Sequence, residues 1–178
     1  NEHFPTSDHN CTLPFTRYLA GSADYTVCYY DGRLQTTHAH QLAMAVVSYS
    51  PLQSILWYDL PGNYRGEPEM EFFRQVPTVW DDTKVLNGEI GKYATIARRS
   101  GEAWFVGTIN NHEARQLKVP LSFLNPAKKY EAHVYYDDPS VATRTKVGVK
   151  TLPVAADTVL EMSLSSAGGE AIWITPSQ

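Results

Sequence analysis

The sequence predicts an α+β chain assembled from two differently built parts. Three observations carry this reading. Up to about residue 70 the apolar residues recur at spacings of three and four, with short strand-like pieces between; beyond it they alternate with period two. Between the two regimes the segment from Pro61 to Pro77 holds three Pro and two Gly, the composition of a link. In 178 residues, 43% hydrophobic and 19% charged side chains provide for a core and exclude a disordered tail.

In the first part, Thr12-Leu13-Pro14-Phe15 reads as a helix start, with Thr12 as N-cap and Pro14 in the first turn, where its missing N–H is not needed. Gly21 is a natural stop, and residues 23–27 then read as a short strand. After an Asp31-Gly32 turn comes the clearest helix: Thr37 as cap, then Ala39, Leu42, Ala43, Val46, Val47 and Tyr49, with Pro51 ending it. Helix, strand, loop and long helix is the order of one last β/α unit of a larger alternating structure. Such a unit cannot cover its own apolar helix face, so the helix is expected to need a partner, covalent or not.

In the second part, Tyr93 to Ala97, a turn at Arg98 to Gly101, and Trp104 to Ile109 form a hairpin. Further strands are predicted at 116–123, 129–136, 145–150, 158–164 and 170–175, with turn signals at Asn110-Asn111, Asn125-Pro126, Asp138-Pro139 and Gly168-Gly169. This spacing predicts an antiparallel β-sandwich of roughly seven or eight strands. No internal repeat supports a solenoid or propeller.

Charge and motifs exclude several functions. The net charge is -4 and the longest basic runs are the pairs Arg98-Arg99 and Lys128-Lys129, so nucleic acid is not an expected partner. No segment has the ~18 consecutive apolar residues of a membrane span, and any targeting signal is expected upstream of residue 1, which is not Met. The cysteines Cys11 and Cys28 read as two thiols, and the Asn10-Cys11-Thr12 sequon carries no weight. His38 and His40 point to different sides of a helix and read as surface residues near its start. Glu2, His3, Asp8 and His9 form a denser cluster that fits no ligand spacing, and Asp81-Asp82 and Asp137-Asp138 read as turn residues. G-x-S-x-G, P-loop, G-x-G-x-x-G and H-E-x-x-H motifs are all absent from the sequence. What remains is carboxylate chemistry on sugars, which needs two acids flanking the scissile bond.

The stretches "NEHF...LPFTRYLAGSADYT", "HQLAMAVVSYSPLQS" and "QVPTVWDDTKVLNGEIGKYATIARRSGEAWFVGTIN" resemble the C-terminal third of glycoside hydrolase family 97. The resemblance spans nearly the whole chain and weakens after about residue 140. It implies an α+β fold in which residues 1–70 are the last part of a (β/α)8 barrel and residues 71–178 a C-terminal antiparallel β-sandwich. It implies an exo-acting bacterial α-glycosidase that releases terminal α-linked glucose or galactose from oligosaccharides, typically with calcium, in the periplasm or outside the cell. In the family pattern a Gly-x-Glu at a barrel strand end carries the general acid, and Glu2 matches that position; the family usually continues with an aromatic residue and Asn, whereas here His3 and Phe4 follow. The second carboxylate and most calcium ligands would lie in an N-terminal part upstream of this chain, which alone is expected to be inactive. The competing reading is a standalone carbohydrate-binding or structural sandwich with Trp80, Trp104 and Trp173 as stacking platforms, although period-two placement makes Trp104 and Trp173 core residues.

Overall fold

The computed structural model describes residues 4–56 and 60–177. Among these residues three short α-helices, α1 (Ser7–Thr12), α2 (His38–Val47) and α3 (Met70–Gln75), and three single 3-10 turns accompany ten strands. The strands β1 (Thr26–Val27) and β2 (Ser54–Ile55) form a parallel pair joined through α2. The remaining eight are β3 (Asp82–Glu89), β4 (Tyr93–Ser100), β5 (Ala103–Asn110), β6 (Arg115–Pro120), β7 (Tyr130–Asp137), β8 (Val147–Val154), β9 (Val159–Leu164) and β10 (Gly169–Pro176). They make a six-stranded antiparallel sheet, in the order β3-β4-β5-β10-β7-β8, and a two-stranded sheet of β6 and β9.

The two sheets face each other across a core of Val106, Ile172, Ile174, Ala132 and Val134 from one side and Val119, Leu160 and Met162 from the other. The expected antiparallel sandwich is therefore present, and its strand number agrees with the turn spacing. No barrel closes among the described residues; the parallel β1–α2–β2 unit is all they contain of an alternating structure.

The outer face of the large sheet is also buried. It meets α2, nine of whose ten residues are buried, which corrects the expectation that this helix lacks a cover. Close approach is what covers it: a Cβ on Gly107 of β5 would lie 2.6 Å from the Ala43 carbonyl oxygen, and one on Gly169 of β10 would lie 2.6 Å from the His40 Cα. Thr37 caps α2 as predicted, its hydroxyl accepting from the His40 N–H at 3.2 Å. At the other end the side chains of Arg98 and Gln53 take the orphan carbonyls. Arg98 Nε donates to Val46 O at 2.6 Å, and Gln53 Nε2 donates to Ala45 O at 3.1 Å.

Arg98 thus lies inside β4, where the sequence suggested a turn. The hairpin loop is Gly101-Glu102, with Gly101 at φ 59, as a turn with left-handed backbone at its first central residue requires. His40 likewise lies inside the protein and not on its surface. Asn10 Nδ2 donates to its Nε2 at 3.1 Å and its Nδ1–H donates to Gly168 O at 3.0 Å, so the ring is neutral. His38 is half-buried against Tyr29. Four elements were not anticipated: α1, which is capped by Thr6 and ends at Thr12, where the sequence suggested a helix start; β2; β3 on the sheet edge; and α3, which forms within the Pro- and Gly-rich link and buries Met70 and Phe72.

Candidate functional site

Because β1 and β2 run parallel, their carboxyl ends share one edge, and in open or closed α/β structures that edge is where ligands are met. The loop leaving β1 carries Tyr29, Tyr30, Asp31, Arg33 and Gln35. Asp31 is buried and receives three hydrogen bonds from Arg33: the backbone N–H at 2.8 Å, Nε at 2.9 Å and a terminal nitrogen at 2.7 Å. Hydrogen bonds from Arg33 hold the Asp31 carboxyl below the usual carboxylate range. The fixed guanidinium lies 4.8 Å over the Phe4 ring, and Gln35 Nε2 donates to Phe4 O at 3.1 Å. The segment entering α1 is thereby fastened to this edge.

Behind the rim lies a cluster of polar side chains. Tyr29, fully buried, donates its hydroxyl to Glu69 Oε1 at 3.0 Å, and its ring meets those of Tyr30, His38 and Phe73 edge-on at 5.1–5.2 Å. Glu67 accepts from Arg144 Nε at 3.2 Å and from the Arg65 N–H at 3.0 Å, while the Arg144 guanidinium covers Tyr30 at 3.8 Å. Burial pushes the Glu69 carboxyl up. Burial acts the same way on Glu67, but backbone N–H groups and Arg144 outweigh it and leave that carboxyl below its ordinary value. Two acids pushed apart in this way suit acid–base chemistry in general. Here both carboxyls are buried against Tyr29 and Arg144, and the cluster ties the link after α2 to the connection between β7 and β8. Beside it a cleft of about 430 Å³ opens between Thr37, Asp138, Arg144 and Lys146.

The predicted site residues fare differently. Glu2 and His3 lie outside the described residues. His9 is exposed and Asp8 Oδ1 is paired with His112 Nδ1 at 2.7 Å, so these two do not converge. Asp81 accepts from the Gly101 N–H at 2.7 Å and Asp82 pairs with Lys84 at 3.1 Å; Asp137 accepts from the Ser165 hydroxyl at 2.7 Å and Asp138 from that of Ser140 at 2.6 Å. These are turn and strand-end contacts. Among the described residues no group of three or more His, Cys, Asp or Glu is placed to hold a metal ion. Trp104 is buried against Phe123 with centroids 4.7 Å apart, Trp173 stacks on His133 at 4.8 Å, and Trp80 packs edge-on against Phe105 at 5.6 Å. None of the three stands free as a platform. Cys11 and Cys28 are not joined in a disulfide, as read. Asn10 of the sequon is fully buried.

Sequence reasoning missed Arg33, Tyr29, Glu69 and Arg144. An Asp-x-Arg spacing at a turn was a usable signal for the Asp31–Arg33 fork. Nothing local marked the Glu69 and Arg144 contacts.

Comparison with known proteins agrees with this architecture. A family described as "Glycosyl-hydrolase 97 C-terminal, oligomerisation" matches residues 79–175. The chain is 34% identical to a retaining alpha-galactosidase of Bacteroides thetaiotaomicron over 93% of its own length and 27% of that protein's. It superposes with a TM-score of 0.87, at 32% identity, on a glycoside hydrolase family 97 enzyme from Pseudoalteromonas sp. in complex with acarbose, covering 99% of this chain and 30% of that one. A beta-arabinopyranosidase superposes with a TM-score of 0.78 at 28% identity over 94% of this chain and 27% of that one. The chain spans under a third of the length of these relatives. Together the profile match over more than half of the chain and the identity along nearly all of it show that the chain belongs to glycoside hydrolase family 97 and forms its C-terminal portion.

Proposed function

We propose that the chain is the C-terminal part of an exo-acting retaining α-galactosidase, with residues 1–70 completing a (β/α)8 barrel and residues 71–178 serving as a supporting sandwich through which the enzyme self-associates. The observation that carries this reading is the 34% identity to a retaining alpha-galactosidase along 93% of the chain. The parallel β1–α2–β2 unit supports the barrel assignment. So does the exposure of Leu52, Ile55, Leu56 and Leu60 on and around β2, where further strands would pack. The family's description as an oligomerisation region supports self-association. Terminal α-glucoside is the second reading, favoured by the acarbose complex of a relative with the same fold.

In this reading Glu2 is the general acid. Enclosure by the barrel raises its pKa, and it protonates the glycosidic oxygen as the bond to the terminal sugar breaks through an oxocarbenium-like transition state. An upstream carboxylate attacks the anomeric carbon, and Glu2 then takes a proton from the water that releases the sugar. The 178 residues alone turn over nothing. Calcium is expected to be needed by the whole enzyme, with most of its ligands upstream; among the described residues no group of three or more His, Cys, Asp or Glu is placed to hold it, and no step is assigned to the ion through them. The enzyme is assigned to the periplasm or the exterior of a bacterial cell.

The test is hydrolysis of α-galactosides and α-glucosides by the full-length enzyme and its Glu2→Gln variant, with and without a calcium chelator. Loss of kcat/KM is expected on substrates with poor leaving groups and much less on aryl glycosides whose leaving group departs unassisted, whereas kcat falls on both because the second step also uses Glu2. A Glu2→Gln enzyme with wild-type rates on both would overturn the assignment.

A further inference from the structure

We infer that the cleft between the β4–β5 turn and the β6–β7 loop is a binding site for a single neutral sugar ring. The inference goes beyond the function proposed above and uses neither Glu2 nor the barrel: every residue in it belongs to the sandwich.

The cleft has a volume of about 290 Å³, the size of one ring and not of a chain, and is lined by Arg99, Glu102, Trp104, Phe123, Lys128 and Tyr130. Its floor is set by the strand ladder. Arg99 stands opposite Trp104 in the pairing of β4 with β5, so the two side chains leave the same face of the sheet, the one that turns to the inter-sheet core. Trp104 and Tyr130 are buried, at 6% and 4% exposure, and the half-buried Phe123 rests on the indole with centroids 4.7 Å apart.

One polar group of this floor is left over. The Trp104 indole N–H donates to none of the described residues, yet it is not shut away from solvent as the unpaired Trp80 Nε1 is. A side chain more than nine-tenths buried that lines a cleft and keeps such a donor is placed to meet an oxygen of a ligand. Trp104 therefore serves by its N–H edge, not by the open face that a stacking platform needs.

The charges of the rim are neutralised in pairs. Lys128 Nζ donates to Glu102 Oε1 at 2.7 Å, joining the loop to the turn, and Arg99 Nη1 donates to Gly101 O at 2.8 Å and lies 3.6 Å from Asp81 Oδ2. The Tyr130 hydroxyl accepts from the Asn125 N–H at 3.2 Å. Among the described residues no partner takes the second Glu102 oxygen, the remaining Arg99 nitrogens or the Tyr130 proton. The cleft thus offers donors and an acceptor without an uncompensated charge, next to one aromatic ring. That suits a ring with many hydroxyls and an apolar face, a hexose, and does not suit a phosphate, a carboxylate or an ammonium group. A chain of a glycoside hydrolase family meets such rings in its substrates and products.

The experiment uses the full-length enzyme labelled with fluorotryptophan. The Trp104 resonance is identified by its loss in Trp104→Phe. D-galactose, D-glucose and sodium sulfate are then titrated separately, into wild type, Glu102→Ala and Lys128→Ala. The last two side chains are 72% and 41% exposed, so neither substitution reaches the core, and melting temperatures close to wild type are expected. A saturating shift of the Trp104 resonance with galactose or glucose is expected, with a dissociation constant on the order of 1 mM. Glu102→Ala should weaken it by about 10-fold or more, and Lys128→Ala by less. No saturating shift with either sugar overturns the site. A shift with sulfate and with neither sugar assigns the cleft to anions and overturns the sugar. A sugar shift that both variants leave unchanged arises elsewhere and overturns the site as well. The role of Glu2 has no bearing on this resonance, so the inference and the proposed function fail separately.

Discussion

Replacement of Arg98 by Ala tests the packing of α2 on the sandwich. Arg98 is 4% exposed and sits in β4 facing the helix. Its guanidinium donates to Val46 O at 2.6 Å, to Val47 O at 3.4 Å and to Thr83 Oγ1 at 2.9 Å, and it lies 5.3 Å from the Tyr49 ring centroid. Two of these acceptors are the last carbonyls of α2, where the helix dipole is negative and a cation is favoured. Removing a charged hydrogen bond costs about 1.5–3 kcal/mol, and leaving the buried Val46 carbonyl unpaired costs about 1–3 kcal/mol. Against this stands relief of desolvation, the burial that lowers the Arg98 pKa. The net expectation is a loss of about 3 kcal/mol, a large share of the roughly 5–15 kcal/mol that holds a domain. Arg98→Met keeps the apolar stem and isolates the polar part, at about 2 kcal/mol of loss. Urea unfolding followed by circular dichroism, with amide exchange on residues 44–48, is the assay. A loss under 1 kcal/mol for Ala, with Met equal to wild type, would mean that the bonds only balance the guanidinium's desolvation and that α2 is held by apolar contact alone.

Gly107→Ala is expected to destabilise by about 1–3 kcal/mol, because its Cβ would meet the Ala43 carbonyl oxygen at 2.6 Å and Val46 Cβ at 2.9 Å and the helix would have to lift. That corresponds to a melting temperature lower by roughly 2–12 °C, while Gly62→Ala, with nothing within 4 Å, should stay near wild type. Two buried groups set opposing pH dependences. Burial lowers the His40 pKa from 6.5 to about 4; the unfolded chain therefore takes up the proton first, and the stability present above pH 6.5 is lost as pH falls toward 4, by at most roughly 3 kcal/mol. Burial raises the Glu170 pKa from 4.5 to about 7; here the unfolded chain gives up the proton first, so stability falls as pH rises from 4.5 through 7. Glu170→Gln should gain stability at pH 8 and little at pH 4, with His40 then dominating the acid limb. An equal effect of the substitution at both pH values would show that Glu170 is not titrating in this range.

How far the sequence could be read depended on whether a feature is local. The hairpin from Tyr93 to Asn110 was legible because alternation and a glycine turn are written in consecutive residues. The cap at Thr37 was legible for the same reason. β3 was not, because its pairing shifts between Val85 and Asn87 and its residues are mostly exposed, which breaks the alternation that marks a strand. α3 hid in a segment whose Pro and Gly content dominates any local reading, although Met70 and Phe72 bury there. The helix α2 was recognised but left without a cover, since its cover is a sheet face assembled later in the chain. Arg98 looked like a turn residue from its neighbours, yet its strongest bond is to a carbonyl 52 positions away. Gly107 lies in a strand where glycine is otherwise unfavourable, and it is there because a helix backbone occupies the space of its side chain. Such residues are the local trace of a distant contact: a strand glycine and, two register positions along the neighbouring strand, a buried arginine mark a face on which a helix end can rest, and read together the pair points to α2's seat on this sheet.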